Sequence, residues 1–109
     1  MVKFVRDNNT EEYMKELLLQ SIPEGKHNSV SCKHLAFRLG CDKRTVVKLV
    51  QKLRDDGHPI CSTTYDGYWI AIDVEDIDRT VKALRVRVTS LTDTIDSLME
   101  ARRLLLRKE

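Results

Sequence analysis

The sequence predicts an α+β domain of three helices and a β-hairpin, extended by one long C-terminal helix. Three observations carry this. Two short amphipathic stretches, residues 31–39 and 43–56, are separated only by Gly40, Cys41 and Asp42. Asp66-Gly67 lies between two runs suited to strands, and such a pair supplies the positive φ angles of a type I′ hairpin turn. From residue 73 to residue 109 there is neither glycine nor proline, and the apolar positions keep a seven-residue repeat.

Each element has its own signals. Residues 1–9 read as a short arm. Thr10 is suited to N-cap a first helix, with Glu11 and Glu12 placed to meet the positive end of its dipole. Tyr13, Met14, Leu17, Leu18 and Ile22 follow at helical spacing, and Pro23 and Gly25 stop the helix after about Ser21. Val30 reads as a one- or two-residue strand. Ser31 then caps a second helix, whose apolar face is Leu35, Ala36 and Leu39, and Gly40 ends it as a left-handed residue. Asp42 caps a third helix with a buried stripe of Val46, Leu49, Val50 and Leu53. Gly57 and Pro59 end that one. In the second strand Tyr68, Ile70 and Ile72 alternate with Trp69 and Ala71. The first set is assigned to the core, and Trp69 then needs a partner on the other side of the hairpin. Helix, short turn, helix and hairpin make the plan of a winged helix-turn-helix. It occupies residues 1–72, with the coiled-coil helix at 73–109.

The net charge of +2 hides an uneven distribution. Residues 31–54 hold Lys33, Arg38, Lys43, Arg44, Lys48, Lys52 and Arg54 against only Asp42, whereas residues 55–72 hold Asp55, Asp56 and Asp66 with no Lys or Arg. Basic charge concentrated on the helix-turn-helix is the asymmetry expected of a nucleic-acid surface. On the third helix, Lys43, Arg44, Val47, Lys48 and Gln51 lie on or near the face opposite the core stripe. Lys and Arg neutralise phosphates, and Arg and Gln also read base edges. Lys33 and His34 lie at the start of the second helix, where backbone N–H groups also meet phosphates. The turn at the tip of the hairpin is Thr64, Tyr65, Asp66 and Gly67; it has no basic residue, so Tyr65 is its candidate contact.

Residues 29–71 resemble the DNA-binding domain at the start of the bacterial biotin ligase/repressor family, and equally the small bacterial or phage regulators of the same helix-turn-helix group. The matching features are "LAFRLG" in the second helix, "RTVVKLVQKLRDDG" in the third, "HPI" entering the wing and "GYWIA" leaving it. With the first helix, the resemblance covers about residues 10–72. It implies the winged fold and contact with double-stranded DNA. No ligase domain follows, so it implies no biotin chemistry.

The long helix opens with Asp73, Glu75, Asp76 and Asp78 and closes with Arg102, Arg103, Arg107 and Lys108, matching its dipole. Val74, Val81, Val88 and Ile95 share heptad position a; Ile77, Leu84, Leu91, Leu98 and Leu105 share position d. Val or Ile at a with Leu at d favours two strands. Val81, Leu84, Val88, Leu91, Ile95 and Leu98 are therefore the expected dimer seam, with Arg102 its one charged break. The e and g positions carry no clear parallel charge code, so both helix orientations stay open. The alternative is a helix that folds back on its own winged domain; at 1.5 Å per residue the helix is roughly 50 Å long, more than a domain of about 70 residues covers, so dimerisation or trimerisation is the expectation.

Other chemistries find little support. Cys32, Cys41 and Cys61 are an odd set without short spacing, which points to reduced thiols and a cytoplasmic protein rather than a disulfide framework. Cys41 is expected to face the core. Cys32, His34, Cys41, His58 and Cys61 lack the spacing of a zinc site, so no metal is expected. There is no glycine-rich phosphate loop, His-Glu-x-x-His or nucleophile elbow, so neither a cofactor nor enzymatic activity is expected. The first residues are too charged for a signal peptide, and no apolar run reaches membrane-span length. The expectation is a homodimer that binds double-stranded DNA as a sequence-specific transcriptional regulator. The alternatives are a phage-type replication or origin-binding accessory protein and a winged-helix protein–protein adaptor.

Overall fold

The structure, a computed structural model, describes residues 8–63 and 67–108. Residues 1–7, the tip residues Thr64, Tyr65 and Asp66, and Glu109 lie outside them, as does the Tyr65 contact expected at the tip. Asn8 and Asn9, expected in the arm, belong to the first helix, and Gly67, expected as a central residue of a type I′ turn, is instead the first residue of the second strand, opposite Thr63. The order of elements is α1 (Asn8–Ser21), a 3₁₀ turn (Lys26–Asn28), α2 (Cys32–Leu39), α3 (Lys43–Asp55), β1 (Ile60–Thr63), β2 (Gly67–Ile70) and α4 (Val74–Arg107). This is a winged helix-turn-helix with a long C-terminal helix.

The helix signals operate as their chemistry dictates. Ser31 Oγ accepts the His34 N–H at 3.0 Å, and Asp42 Oδ1 accepts the Thr45 N–H at 2.8 Å. Gly40, at φ 69°, takes the left-handed conformation that turns the chain from α2 towards α3. One boundary differs from expectation: α1 begins at Asn8, so Thr10 lies within the helix rather than capping it. The following residues already favour a helix, and the backbone continues it back to Asn8.

Leu18 and Ile22 of α1, Leu35 and Ala36 of α2, Val46, Leu49, Val50 and Leu53 of α3, and Ile60 of β1 form one buried cluster. Cys41 packs against it, as expected. Burying side chains of this size contributes about 1.5–3 kcal/mol each, which fixes the angle between α2 and α3.

The strands pair antiparallel, with Ile60 opposite Ile70, Cys61 opposite Trp69, Ser62 opposite Tyr68 and Thr63 opposite Gly67. Val30 adds the expected bridge, exchanging two backbone hydrogen bonds with Tyr68 at 3.0 and 2.8 Å. That approach requires glycine at 67. Its φ is +81°, and a Cβ there would lie 2.3 Å from the Val30 carbonyl oxygen.

The hairpin is buried on both faces, which corrects the assignment of its residues. Tyr68 and Ile70 pack on the helical core, but Ile72 is 63% exposed and contributes nothing to it. Trp69 is fully buried on the opposite face, together with Cys61. The covering element there is the start of α4. Thr80 Oγ1 accepts the Ser62 N–H at 3.2 Å and donates to the Ser62 carbonyl at 3.4 Å. Asp76 Oδ2 accepts the Ile72 N–H at 3.1 Å, and both Asp76 and Thr80 are buried. Beyond Arg87 the helix runs clear of the domain, and the molecule reaches 60 Å in its longest dimension.

Candidate nucleic-acid interface

The core stripe of α3 fixes what the opposite face presents. At about 100° per residue, Arg44, Val47, Lys48 and Gln51 share one outward face, with Lys43 at its leading edge. All five are exposed. Lys33, His34, Phe37 and Arg38 are exposed on α2, opposite its buried Leu35 and Ala36. The turn between the helices thus brings both basic faces into one surface region.

The ion pairs divide the basic residues into two groups. Lys52 pairs with Glu11 and so ties α3 to α1, as does the 2.7 Å contact of Lys15 with Asp56. Arg54 is half-buried: its Nε donates to the Ile60 carbonyl at 2.8 Å and an Nη to Ser62 Oγ at 3.0 Å, so it braces β1. Both residues counted towards the basic balance of the sequence, yet both serve the fold. Lys33, Arg38, Lys43, Arg44 and Lys48 form no ion pair among the described residues. Asp42, the one acid between them, is engaged as the α3 cap. Its hydrogen bonds from Thr45, aided by Arg44 and Lys48, hold its carboxyl below the usual range.

Three features were not singled out from sequence. Phe37 stands 86% exposed on α2, one turn after Lys33; its spacing from Lys33 and its place opposite Leu35 were the available signal. Asp55 is exposed one turn beyond Gln51 on the outward face of α3, so the cationic surface is confined to the first turns of that helix. Arg87 of α4 lines a cleft of about 400 Å³ with Ser31, Cys32, Ser62, Thr63 and Tyr68. It brings a cation from another element to the base of a wing whose own tip has none. No local sequence signal marks that placement.

Burial pushes the thiols of Cys32, Cys41 and Cys61 up from their ordinary values. Among the described residues, no three His, Cys, Asp or Glu side chains are grouped so as to hold a metal ion. No described helix is long and apolar enough to cross a membrane.

A family model described as HTH domain matches residues 15–69, just over half of the chain. The chain is also similar to a solved structure titled as a transcriptional antiterminator from Listeria monocytogenes EGD-e. That similarity has 23% identity and a TM-score of 0.41, over 91% of this chain and 77% of that one. No curated protein matches the chain. The matched segment runs from α1 through the capped α2–turn–α3 unit into β2, and the chain belongs to the helix-turn-helix (HTH) domain family of DNA-binding domains.

Proposed function

We propose that the chain is a homodimeric, sequence-specific regulator of transcription. In this reading the first turns of α3 enter the major groove of double-stranded DNA. Lys43, Arg44 and Lys48 neutralise phosphates, and Arg44 and Gln51 read base edges, with Val47 between them as an apolar contact surface. Lys33 and His34, at the start of α2, reach the backbone beside them, and Tyr65 and Arg87 approach it from the wing side. The observation that supports this is the set of cations on α2 and α3 without ion-pair partners among the described residues, beside others of the same segment that are internally paired.

The dimer half of the reading rests on α4. Its heptad positions Val88, Leu91, Ile95 and Leu98 are 59–65% exposed, an apolar stripe that a single domain leaves open to water. A second copy would cover it and would link two DNA-binding units, raising the effective concentration of the second contact.

Selection of bound fragments from a random duplex library tests the proposal. A two-fold motif with half-sites about one helical turn apart is the expected outcome. Binding without a motif would favour a replication accessory role. Absence of enrichment would favour an adaptor, with Phe37 the first residue to examine.

A further inference from the structure

We infer that α4 pairs antiparallel with α4 of a second copy, with Val81 against the partner's Leu98 and Val88 against the partner's Leu91. This inference rests on the proposed dimer and specifies its geometry.

The seam is open beyond Arg87 and partly covered before it, where Ile77 is half-buried and Leu84 lines the cleft against the wing. The domain docks on one side of α4, through Asp76, Thr80, Ala83 and Arg87, which occupy heptad positions c and g. Positions a and d lie beside that contact. Val81 and Leu84 remain 38% and 37% exposed even where the domain is closest.

The layer register then separates the two orientations. In an antiparallel pair, a positions pack against d positions. The residues of this helix allow that without a gap: Val74 meets Leu105, Val81 meets Leu98, Val88 meets Leu91 and Ile95 meets Leu84. The remaining layer sets Arg102 against the partner's Ile77, within a turn of Asp73 and Asp78. In a parallel pair Arg102 would face its own copy in the seam, two guanidinium groups in one layer with Arg103, Arg107 and Lys108 stacked beside them. Like charges forced together in a partly dry seam are unfavourable.

The charge sequence favours the same orientation. Along α4 the charges come in four blocks: Asp73, Glu75, Asp76 and Asp78; then Arg79, Lys82, Arg85 and Arg87; then Asp93, Asp96 and Glu100; then Arg102, Arg103, Arg107 and Lys108. Intrahelical pairs at the block borders use Arg79 with Glu75 and Asp76, and Arg103 with Glu100. Lys82, Arg85, Arg87, Asp93, Asp96, Arg102, Arg107 and Lys108 keep no ion pair among the described residues. A parallel pair aligns every block with itself. The antiparallel register above brings the second block level with the third and the first level with the fourth. Most of these residues occupy positions b and f, on the side away from the seam, so the preference is a long-range one that salt screens strongly.

The arrangement has a consequence for the proposed function. The Thr80 anchors of the two domains are set about 28 Å apart along the rod. That is of the order of the roughly 34 Å repeat between successive major-groove faces on one side of DNA. A parallel pair would hold both domains at one end.

Pulsed dipolar spectroscopy on the full-length chain tests the orientation, with spin labels introduced as genetically encoded residues so that the native cysteines stay in place. One variant carries the label at Ser90, near the middle of the seam; the other carries it at Leu104. At Ser90 the two labels are within about 30 Å in either orientation, so this variant reports pairing itself. At Leu104 an antiparallel pair separates them by about 45 Å, and a parallel pair holds them within about 30 Å. A short distance at Ser90 with a long one at Leu104 is expected. Short distances at both positions would overturn the antiparallel arrangement while leaving the dimer. No dipolar signal at Ser90, with a monomer in sedimentation, would overturn the dimer and this inference with it.

Discussion

Cys61 and Trp69 face each other across the hairpin and are both fully buried, on the side turned away from the three-helix core. The wing is therefore the middle layer of the molecule, between the helical core and the start of α4. Trp69 is the single tryptophan of the chain, so its fluorescence reports that second contact directly. Native protein should emit at short wavelength and shift to the red on unfolding. Trp69→Ala should cost about 3–5 kcal/mol, the range for removing a buried aromatic. Urea titration followed by circular dichroism measures it.

Thr80 offers a finer test of the same contact. Its hydroxyl satisfies the Ser62 N–H and donates back to the Ser62 carbonyl. Thr80→Val keeps the shape and removes both hydrogen bonds. It leaves a buried backbone donor unpaired, at a cost of about 1–3 kcal/mol. Thr80→Ser should recover most of that stability. Equal destabilisation by Val and Ser would mean that packing of the methyl group, and not the hydrogen bonds, holds α4 to the wing.

Most of the fold was legible in the sequence because its determinants are local. Ser31, Gly40, Asp42 and Gly57 act within one turn of where they stand, and the stripe of α3 is a matter of periodicity. Trp69 and Ile72 were not legible in the same way. Alternation in a strand separates two faces but does not say which is covered, and here a distant helix covers the face that alternation alone assigns to solvent. The candidate interface divides similarly. The outward face of α3 follows from its inward one. That Lys52 and Arg54 are engaged by Glu11 and by the β1 backbone depends on tertiary contacts, as does the arrival of Arg87 at the wing.

The division of the cations predicts two kinds of variant. Changing Lys43, Arg44 and Lys48 together to Ala should weaken binding to duplex DNA and flatten its salt dependence. Each phosphate no longer neutralised should reduce the log–log slope by about 0.9. Lys52→Ala should leave that slope unchanged, since its ammonium already pairs with Glu11. Filter binding across a salt series reads both. A slope altered by Lys52→Ala and not by the triple change would move the interface away from the start of α3.

Acid should act on the domain through the surface carboxylates of Asp42 and Asp56, while Glu100 of α4 is held down in the same way by Arg103. Asp56 is held below the usual range by its hydrogen bond with Lys15, and Asp42 by its hydrogen bonds from Thr45. A carboxyl whose pKa is lower in the folded than in the unfolded chain adds stability above its unfolded value. It loses that contribution as the pH falls through the folded value. The full contribution is thus present at neutral pH, begins to fall below about pH 4 and is gone once the pH lies below the folded value. Asp56→Asn should lower the melting temperature at about pH 7, and the difference should shrink steadily as the pH falls below about 4. A melting-temperature difference that persists undiminished in acid would show that the carboxylate charge is not what stabilises the α1–α3 contact.

The seam of α4 gives the prediction on which the largest part of the proposed function depends. Val88 and Leu91 are 62% and 63% exposed and lie beyond Arg87, where α4 runs clear of the domain. Aspartate at both positions puts charge where a coiled coil excludes water, and desolvating an unpaired carboxylate is costly enough to dissociate the helices. Neither side chain belongs to the buried core, so the winged domain should remain folded. Val88→Asp with Leu91→Asp should therefore sediment as a monomer whose Trp69 emission remains native. Its affinity for a single half-site should match the parent, while its affinity for a two-half-site duplex should fall towards that single-site value, because the linkage that raised the local concentration of the second domain is gone. A variant that still sediments as a dimer would place the subunit contact elsewhere on the molecule. A monomer that binds the two-half-site duplex as tightly as the parent would mean that one domain carries all of the affinity.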